Sequence, residues 1–252
     1  MVQRKQEVLI VGGGLAGLVA SLLLVKEGHA VTLVEKKVYP FHRVCGEYVS
    51  NEVLDFLKRN NLYPDFLELP HIDTFEFSDT QGKSVFLPLD LGGFGISRYQ
   101  LDLWLYQLAS EQGVKFLTGT TVTDLVFLEK EDLFQVKLSD FQVLQVPVVL
   151  GAFGKRSKLD QVLERPFFTK RSPYIGVKYH VLAEGSPNTV ALHNFQGGYC
   201  GFNAIEEGKF NLCYLGNRDQ LRQYGSIEEM ERAVLWKNPV LKRIFEESTF
   251  LW

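Results

Sequence analysis

EVLIVGGGLAG at residues 7–17 is the stretch that decides the fold of the first part of the chain. Its opening apolar run predicts a buried parallel strand that ends at glycines. Small and apolar residues then predict a helix over 15–27, with Gly28 at its C-terminal end. A second strand over 30–34, closed by Glu35, completes a βαβ unit.

The three glycines Gly12, Gly14 and Gly17 fit the pattern GxGxxG between that strand and that helix. Gly12 permits a tight turn, Gly14 lets a pyrophosphate approach the main chain, and Gly17 lets the helix pack against the strand. Glu35 follows about 20 residues later, where a carboxylate accepts hydrogen bonds from a ribose. The alternative is that the glycines serve only a tight strand–helix junction. The predicted cofactor-binding residues here are Gly12, Gly14, Leu15, Ala16, Gly17, Glu35 and Lys36.

The rest of the chain alternates helical and strand-like patterns. Helices are predicted over 51–60, 99–112 and 227–236. Gly92-Gly93-Phe94-Gly95 predicts a flexible break, and 248–252 predicts the start of a strand. Further strands are predicted over 72–89 with a turn at 79–82, and over 114–117, 122–128, 134–138, 143–146, 148–150 and short runs within 175–215.

Composition and charge exclude several classes of protein. The 252 residues carry 27 basic and 30 acidic side chains, so the net charge of -3 disfavours nucleic-acid binding. Three cysteines cannot form a disulfide framework, which favours a cytoplasmic protein. No apolar run approaches the roughly 20 residues of a transmembrane helix. The five histidines show no zinc-binding spacing, so no metal site is predicted.

Four blocks give the chain a resemblance to a known superfamily. The sequence resembles FAD-dependent oxidoreductases of the para-hydroxybenzoate hydroxylase and geranylgeranyl reductase superfamily over nearly all of its length. The blocks are the glycine fingerprint through Glu35, then Arg43-Val44-Cys45-Gly46-Glu47, then Ser97-Arg98-Tyr99-Gln100-Leu101-Asp102, and then Gly151-Ala152-Phe153-Gly154-Lys155-Arg156-Ser157.

The resemblance implies an α/β fold, with a Rossmann-like FAD-binding domain and a second, β-rich substrate domain. It assigns 1–70 and 98–165 to the FAD-binding domain, and 71–97 and 166–252 to the substrate domain. Arg43 and Arg98 are expected to bind the FAD phosphates or ribityl chain, because guanidinium groups bind phosphate oxygens bidentately. Val122 is expected to contact the adenine through its main chain.

Cys45 is the one candidate for a catalytic role. The resemblance places it near the isoalloxazine ring, where it tunes the flavin, contacts substrate or only fills space. Cys200 and Cys213 are interpreted as packing residues. No acid or base is assigned from the sequence.

The sequence departs from the superfamily at two places. Phe153 stands where an aspartate is common, and an aromatic ring cannot make that aspartate's polar contacts. In the superfamily, a Gly-Asp block that contacts the FAD ribityl chain follows the substrate domain, and this chain ends before it, at Trp252. We therefore expect either a fragment of a longer protein or a shortened relative.

The predicted function is FAD-dependent oxidoreduction. The flavin would reduce a carbon–carbon double bond, or hydroxylate a small apolar or aromatic substrate, with NAD(P)H as a possible electron donor. The alternatives are a non-catalytic binding protein on the same scaffold and an NAD-dependent dehydrogenase. The sequence does not predict the oligomeric state.

Overall fold

The structure is a computed structural model that describes residues 6–155, 157–169 and 172–252. Arg156 of the fourth block lies outside the described residues. The chain divides into two compact units, and each is built from two segments. The first unit comprises Met1–Phe41 and Tyr99–Arg171, and the second comprises His42–Arg98 and Ser172–Trp252. The structural division groups residues 42–70 with the second unit, while the predicted boundaries of the two functional domains stay a prediction.

The strands and helices have the following bounds in chain order. The strands are β1 (Glu7–Val11), β2 (Ala30–Glu35), β3 (Tyr48–Ser50), β4 (His71–Ser78), β5 (Ser84–Gly95), β6 (Lys115–Thr118), β7 (Val122–Leu128), β8 (Leu133–Leu138), β9 (Val143–Val146), β10 (Val148–Gly151), β11 (Tyr174–Leu182), β12 (Thr189–Phe195), β13 (Gly198–Ala204), β14 (Phe210–Asn217) and β15 (Thr249–Phe250). The helices are α1 (Leu15–Lys26), α2 (Leu54–Arg59), α3 (Arg98–Glu111), α4 (Leu159–Val162), α5 (Arg218–Tyr224), α6 (Ile227–Val234) and α7 (Pro239–Glu247).

The first unit contains a parallel sheet in the order β10-β1-β2-β6. Strand β1 is central, because it pairs with β10 on one side and β2 on the other. Its side chains Leu9 and Ile10 are fully buried. A separate antiparallel sheet, β7-β8-β9, shares an apolar cluster with β1 and β2. This arrangement is the Rossmann-like fold that the sequence predicts.

The second unit contains an eight-stranded sheet in the order β15-β11-β14-β13-β12-β4-β5-β3. The pairing of β12 with β4 is parallel, and the other pairings are antiparallel. Buried residues of the strands, such as Leu212 and Tyr214, form one apolar cluster with Met230 of α6 and Leu241 of α7. The predicted β-rich second domain is therefore present.

Two features of this unit differ from the sequence predictions. The predicted flexible break at 92–95 is wrong, because these residues end β5 and pair with β3. A Cβ at Gly95 would lie 1.8 Å from the Ala204 carbonyl oxygen, so the glycine permits a close main-chain approach and does not loosen the chain. Helices α5 and α7 have no counterpart in the prediction, although Asn238 and Pro239 at the start of α7 form a usual helix start.

Of the described helices, none is long and apolar enough to cross a membrane.

Candidate functional site

The glycine turn between β1 and α1 requires glycine for two separate reasons. Gly12 has φ +105°, which L side chains rarely adopt, and its N–H donates to the Val34 carbonyl oxygen at 2.8 Å. A Cβ at Gly17 would lie 2.0 Å from the Gly12 carbonyl oxygen. The helix can therefore begin directly against the strand only with glycine at both positions.

Gly13, to which the fingerprint assigns no role, is also constrained by its surroundings. Its N–H donates to Glu35 Oε2 at 2.8 Å, and its carbonyl oxygen accepts from the Tyr39 hydroxyl at 2.6 Å. A Cβ on Gly13 would lie 1.9 Å from that hydroxyl. Tyr39 is buried and stacks on Tyr106 at 4.4 Å between ring centroids. The sequence carried no signal for Tyr39, which lies in a loop.

The start of α1 has the chemistry of an anion site. Gly14 is the N-cap and has no side chain to accept from the first turn. Ala16 is exposed, while Gly14 and Leu15 are half-buried. Main-chain N–H groups and the positive end of the helix dipole therefore provide the donors that a diphosphate needs. The residues present fit the diphosphate of a dinucleotide.

Glu35 is held in a fixed orientation at the end of β2. Its side chain accepts from Gly13 N and, through Oε1, from Lys37 N at 3.0 Å, and the residue is 4% exposed. Lys36 is exposed. The role of Glu35 toward a ribose stays a prediction.

The fourth sequence block approaches the glycine turn through its main chain. Ala152 N donates to the Val11 carbonyl oxygen at 2.8 Å, and a Cβ on Gly12 would lie 2.5 Å from the Ala152 oxygen. Phe153 packs against the apolar cluster to which Val122 also belongs. The aromatic ring thus extends the core at the position where the resemblance led us to expect an aspartate.

The second unit contains a cavity of about 530 Å³ on one face of its sheet, a size that suits a small-molecule ligand. Besides the cysteines, the lining residues with polar side chains are Glu47, Tyr48, Tyr199, Asn203 and Tyr214. Glycines at 176 and 201 leave room on the strands beneath it. The apolar part of its wall is formed by Val44, Phe75, Leu89, Val190, Leu192 and Leu215.

Two of the three cysteines line this cavity. Cys45 lies on the segment that covers the sheet, and Cys213 lies on β14. Burial, followed by the neighbouring Cys45, raises the pKa of Cys213 to about 11, so its thiol is protonated at neutral pH. Cys213, interpreted from the sequence as a packing residue, therefore contributes to a cavity wall. Cys200 is fully buried in the core, as predicted.

A buried ionic cluster lies beside the cavity. The Glu47 carboxylate accepts from Lys178 Nζ at 2.5 Å and from His180 Nε2 at 2.6 Å. Burial acts to raise the pKa of Glu47, but the hydrogen bond from His180 and the charge of Lys178 outweigh it and lower that pKa. Neither β11 residue was predicted to belong to a site, although two polar residues at alternate positions of an apolar strand indicate a buried polar site.

The two arginines predicted to bind the cofactor lie near Glu47: Arg98 contacts its carboxylate, and Arg43 precedes it in the sequence. Arg98 is the first residue of α3, and its main-chain N–H donates to Glu47 Oε1 at 2.7 Å. Arg43 is half-buried and precedes the cavity segment. The structure places Arg43, Cys45 and Arg98 in the second unit, and the fingerprint residues, Glu35, Lys36 and Val122 in the first. Their contacts with a cofactor stay predictions.

Comparison with known proteins identifies the class of the first part of the chain. Residues 5–125 match the family described as FAD binding domain. Among curated proteins, the FAD-dependent monooxygenase asL4 of Sarocladium schorii is 30% identical over 174 residues, which cover 64% of this chain and 39% of that protein. The menaquinone reductase of Mycolicibacterium smegmatis is 24% identical over 177 residues, which cover 64% of this chain and 40% of that protein. The chain thus spans less than half the length of these relatives.

Solved structures show the same fold. Halogenase PltM in complex with phloroglucinol and FAD superposes over 98% of this chain and 59% of its own, with a TM-score of 0.80 and 17% identity. These comparisons confirm the predicted resemblance to FAD-dependent oxidoreductases of the para-hydroxybenzoate hydroxylase superfamily. The solved structures confirm the predicted fold, and the FAD binding domain match confirms FAD as the cofactor.

Proposed function

We propose that this chain binds FAD and supports flavin-dependent oxidation or reduction of a small apolar or aromatic molecule. The observation that carries the proposal is the glycine turn, where the N-cap of α1 is Gly14, which has no side chain to accept from the first turn of the helix. The FAD binding domain match over the same residues supports it. When bound, FAD accepts and releases a hydride.

The residues of the first unit would bind and orient the cofactor. The N–H groups at the start of α1 would donate to the diphosphate, and Glu35 would accept from the ribose. Arg43 and Arg98 of the second unit would bind the phosphates or the ribityl chain. NAD(P)H is the proposed electron donor.

The cavity of the second unit is the proposed substrate site. Its wall is mostly apolar, so the cavity favours an uncharged ligand. Asn203 and Tyr199 are the polar groups with which a carbonyl or phenol oxygen would form hydrogen bonds. The protonated Cys213 thiol adds a neutral, polarisable surface. Quinones and phenols fit these requirements.

The test has two arms. In the first, the 252-residue protein is titrated with FAD, and quenching of flavin fluorescence is measured. Saturable binding is expected, whereas a protein that takes up no FAD contradicts the proposal. In the second, the NADPH- or NADH-dependent reduction of menadione and the accompanying oxygen uptake are measured. Reduction of menadione supports the reductase alternative, and oxygen-dependent chemistry supports the monooxygenase alternative.

Gly201 provides a steric probe of the substrate site. A Cβ there would make ordinary contacts of 3.5 Å and 3.7 Å, so Gly201→Ala should fold normally and Gly201→Leu should fill the cavity. We expect Gly201→Leu to lower menadione turnover roughly 10- to 100-fold, because its side chain would occupy the space proposed for the substrate and each 1.4 kcal/mol of lost binding is about tenfold. Gly216→Ala is the control for Gly201→Ala, since Gly216 does not line the cavity and its Cβ would make ordinary contacts of 3.8 Å with the rings of Phe195 and Tyr214. FAD binding with unchanged turnover in Gly201→Leu would place the substrate elsewhere.

A further inference from the structure

Glu47 combines two unfavourable features in one residue. Its φ of +54° lies in the left-handed region, which is uncommon for a residue with a long side chain. Its side chain is also fully shielded from solvent while carrying a carboxylate. Residues that keep such a conformation are held by their surroundings and concentrate at functional sites.

The surroundings of Glu47 hold it from two directions. Lys178 and His180, two residues apart on β11, both donate to the carboxylate. The Ile96 N–H donates to the Glu47 carbonyl oxygen at 3.1 Å, and the Arg98 N–H donates to the carboxylate at 2.7 Å. Glu47 therefore contacts both strand β11 of the sheet and the segment that leads into α3.

Asn211 fixes the residues immediately before Glu47. It pairs with His180 across β11 and β14, and its Nδ2 donates to the carbonyl oxygens of Cys45 at 3.3 Å and Gly46 at 2.8 Å. These two residues and Glu47 line the cavity. The cavity wall and the start of α3 thus depend on the same set of hydrogen bonds.

We propose that Glu47 is a positioning residue that couples the cavity wall at Cys45 to the main chain at Arg98. This inference rests on the proposed function, because Arg98 is expected to bind FAD. A carboxylate next to the first N–H of α3 also offsets the unfavourable placement of the positive Arg98 side chain at the positive end of a helix. Loss of the carboxylate should therefore disturb cofactor binding and the cavity together.

The test compares Glu47→Gln and Glu47→Gly with Glu231→Gln. Glu47→Gly suits the positive φ but removes the carboxylate, so it separates the backbone conformation from the hydrogen bonds. Glu231 is the matched control, because it is a buried carboxylate of the same unit that accepts from Tyr214 at 2.8 Å and Tyr179 at 3.0 Å but does not contact the segment. The double variant Glu47→Gln/Lys178→Met avoids a buried lysine without a counter-charge.

Three quantities are measured for each variant: the melting temperature, the Kd for FAD, and the rate at which iodoacetamide labels Cys45, identified by peptide mass spectrometry. Among variants that show a cooperative melting transition, each Glu47 variant should raise the Kd for FAD about tenfold. Iodoacetamide should also label Cys45 faster in each Glu47 variant than in the wild type. Glu231→Gln should lower only the melting temperature.

The inference is overturned if folded Glu47 variants bind FAD and label like the wild type, or if Glu231→Gln changes all three quantities equally. Normal FAD binding and labelling in Glu47→Gly alone would show that the conformation matters and the carboxylate does not, which also overturns it. If the wild type binds no FAD, the proposed function fails. The labelling rate then still reports whether Glu47 holds the Cys45 segment.

Discussion

Single residues of the glycine turn are determined by contacts that a motif does not record. The fingerprint assigns roles to Gly12, Gly14 and Gly17, whereas the structure shows that Gly13 has polar partners on both its N–H and its carbonyl oxygen. Those partners, Glu35 and Tyr39, lie 22 and 26 residues later in the chain. The conformation of the turn therefore depends on a loop outside the motif.

We expect Gly13→Ala to destabilise the first unit by about 1–3 kcal/mol, because its Cβ would overlap the Tyr39 hydroxyl. Tyr39→Phe alone should cost about 1 kcal/mol, the usual value for a lost hydrogen bond. In the double variant the overlap is relieved, so the free energy of unfolding in urea should fall by less than the sum. Strict additivity would contradict this explanation.

At the scale of elements, the buried side chain of Asn238 connects α7 to the sheet. Its Oδ1 accepts from Val240 N at 2.9 Å, which caps the helix. Its Nδ2 donates to the carbonyl oxygens of Asp79 and Asn194, both at 3.0 Å. The same residue therefore starts a helix and joins it to the end of β4 and to β12.

Replacement of Asn238 by alanine should cost about 3 kcal/mol, since the variant loses a cap and leaves buried carbonyl groups without a partner. Ser226→Ala, at the exposed cap of α6, should cost about 1 kcal/mol. Chemical unfolding of both variants measures the difference. Equal losses would show that the Asn238 contacts to the sheet contribute little.

How much of this fold the sequence predicts depends on how far apart in the sequence the contacting residues lie. Strand β1 and helix α1 follow from local hydrophobic patterns, and the structure confirms them within one residue. The glycines at 92–95 were misinterpreted because their partners, β3 and Ala204, are distant in sequence. Lys178 and His180 were missed for the same reason, since their partner Glu47 lies more than 130 residues earlier.

At the scale of the whole molecule, we expect stability to decrease on mild acidification. Burial, together with His180 and Lys178, lowers the pKa of His42 from 6.5 to about 4. A histidine with a lowered pKa favours the folded state above its unfolded pKa, and this contribution is lost as the pH falls from 6.5 towards 4. The lowered pKa of His193 adds a change of the same sign.

Urea titrations of the wild type and His42→Gln at pH 7 and pH 4.5 measure this effect. The wild type should lose more free energy of unfolding than the variant between the two pH values, because glutamine does not titrate. Part of the loss should remain in the variant, owing to His193. If His42→Gln loses as much free energy of unfolding as the wild type, groups other than His42 cause the loss.

The parallel pairing of β4 with β12 has a consequence for biosynthesis. The Ser78 hydroxyl and His193 Nδ1, 3.0 Å apart in the folded protein, are separated by 115 residues of chain. At a translation rate of roughly 5–20 residues per second, the first hairpin of the second unit waits on the order of 6–23 s for its neighbouring strand. During that interval the edge of β4 that pairs with β12 in the folded protein has no neighbouring strand, and such an open edge is a template for pairing with another chain.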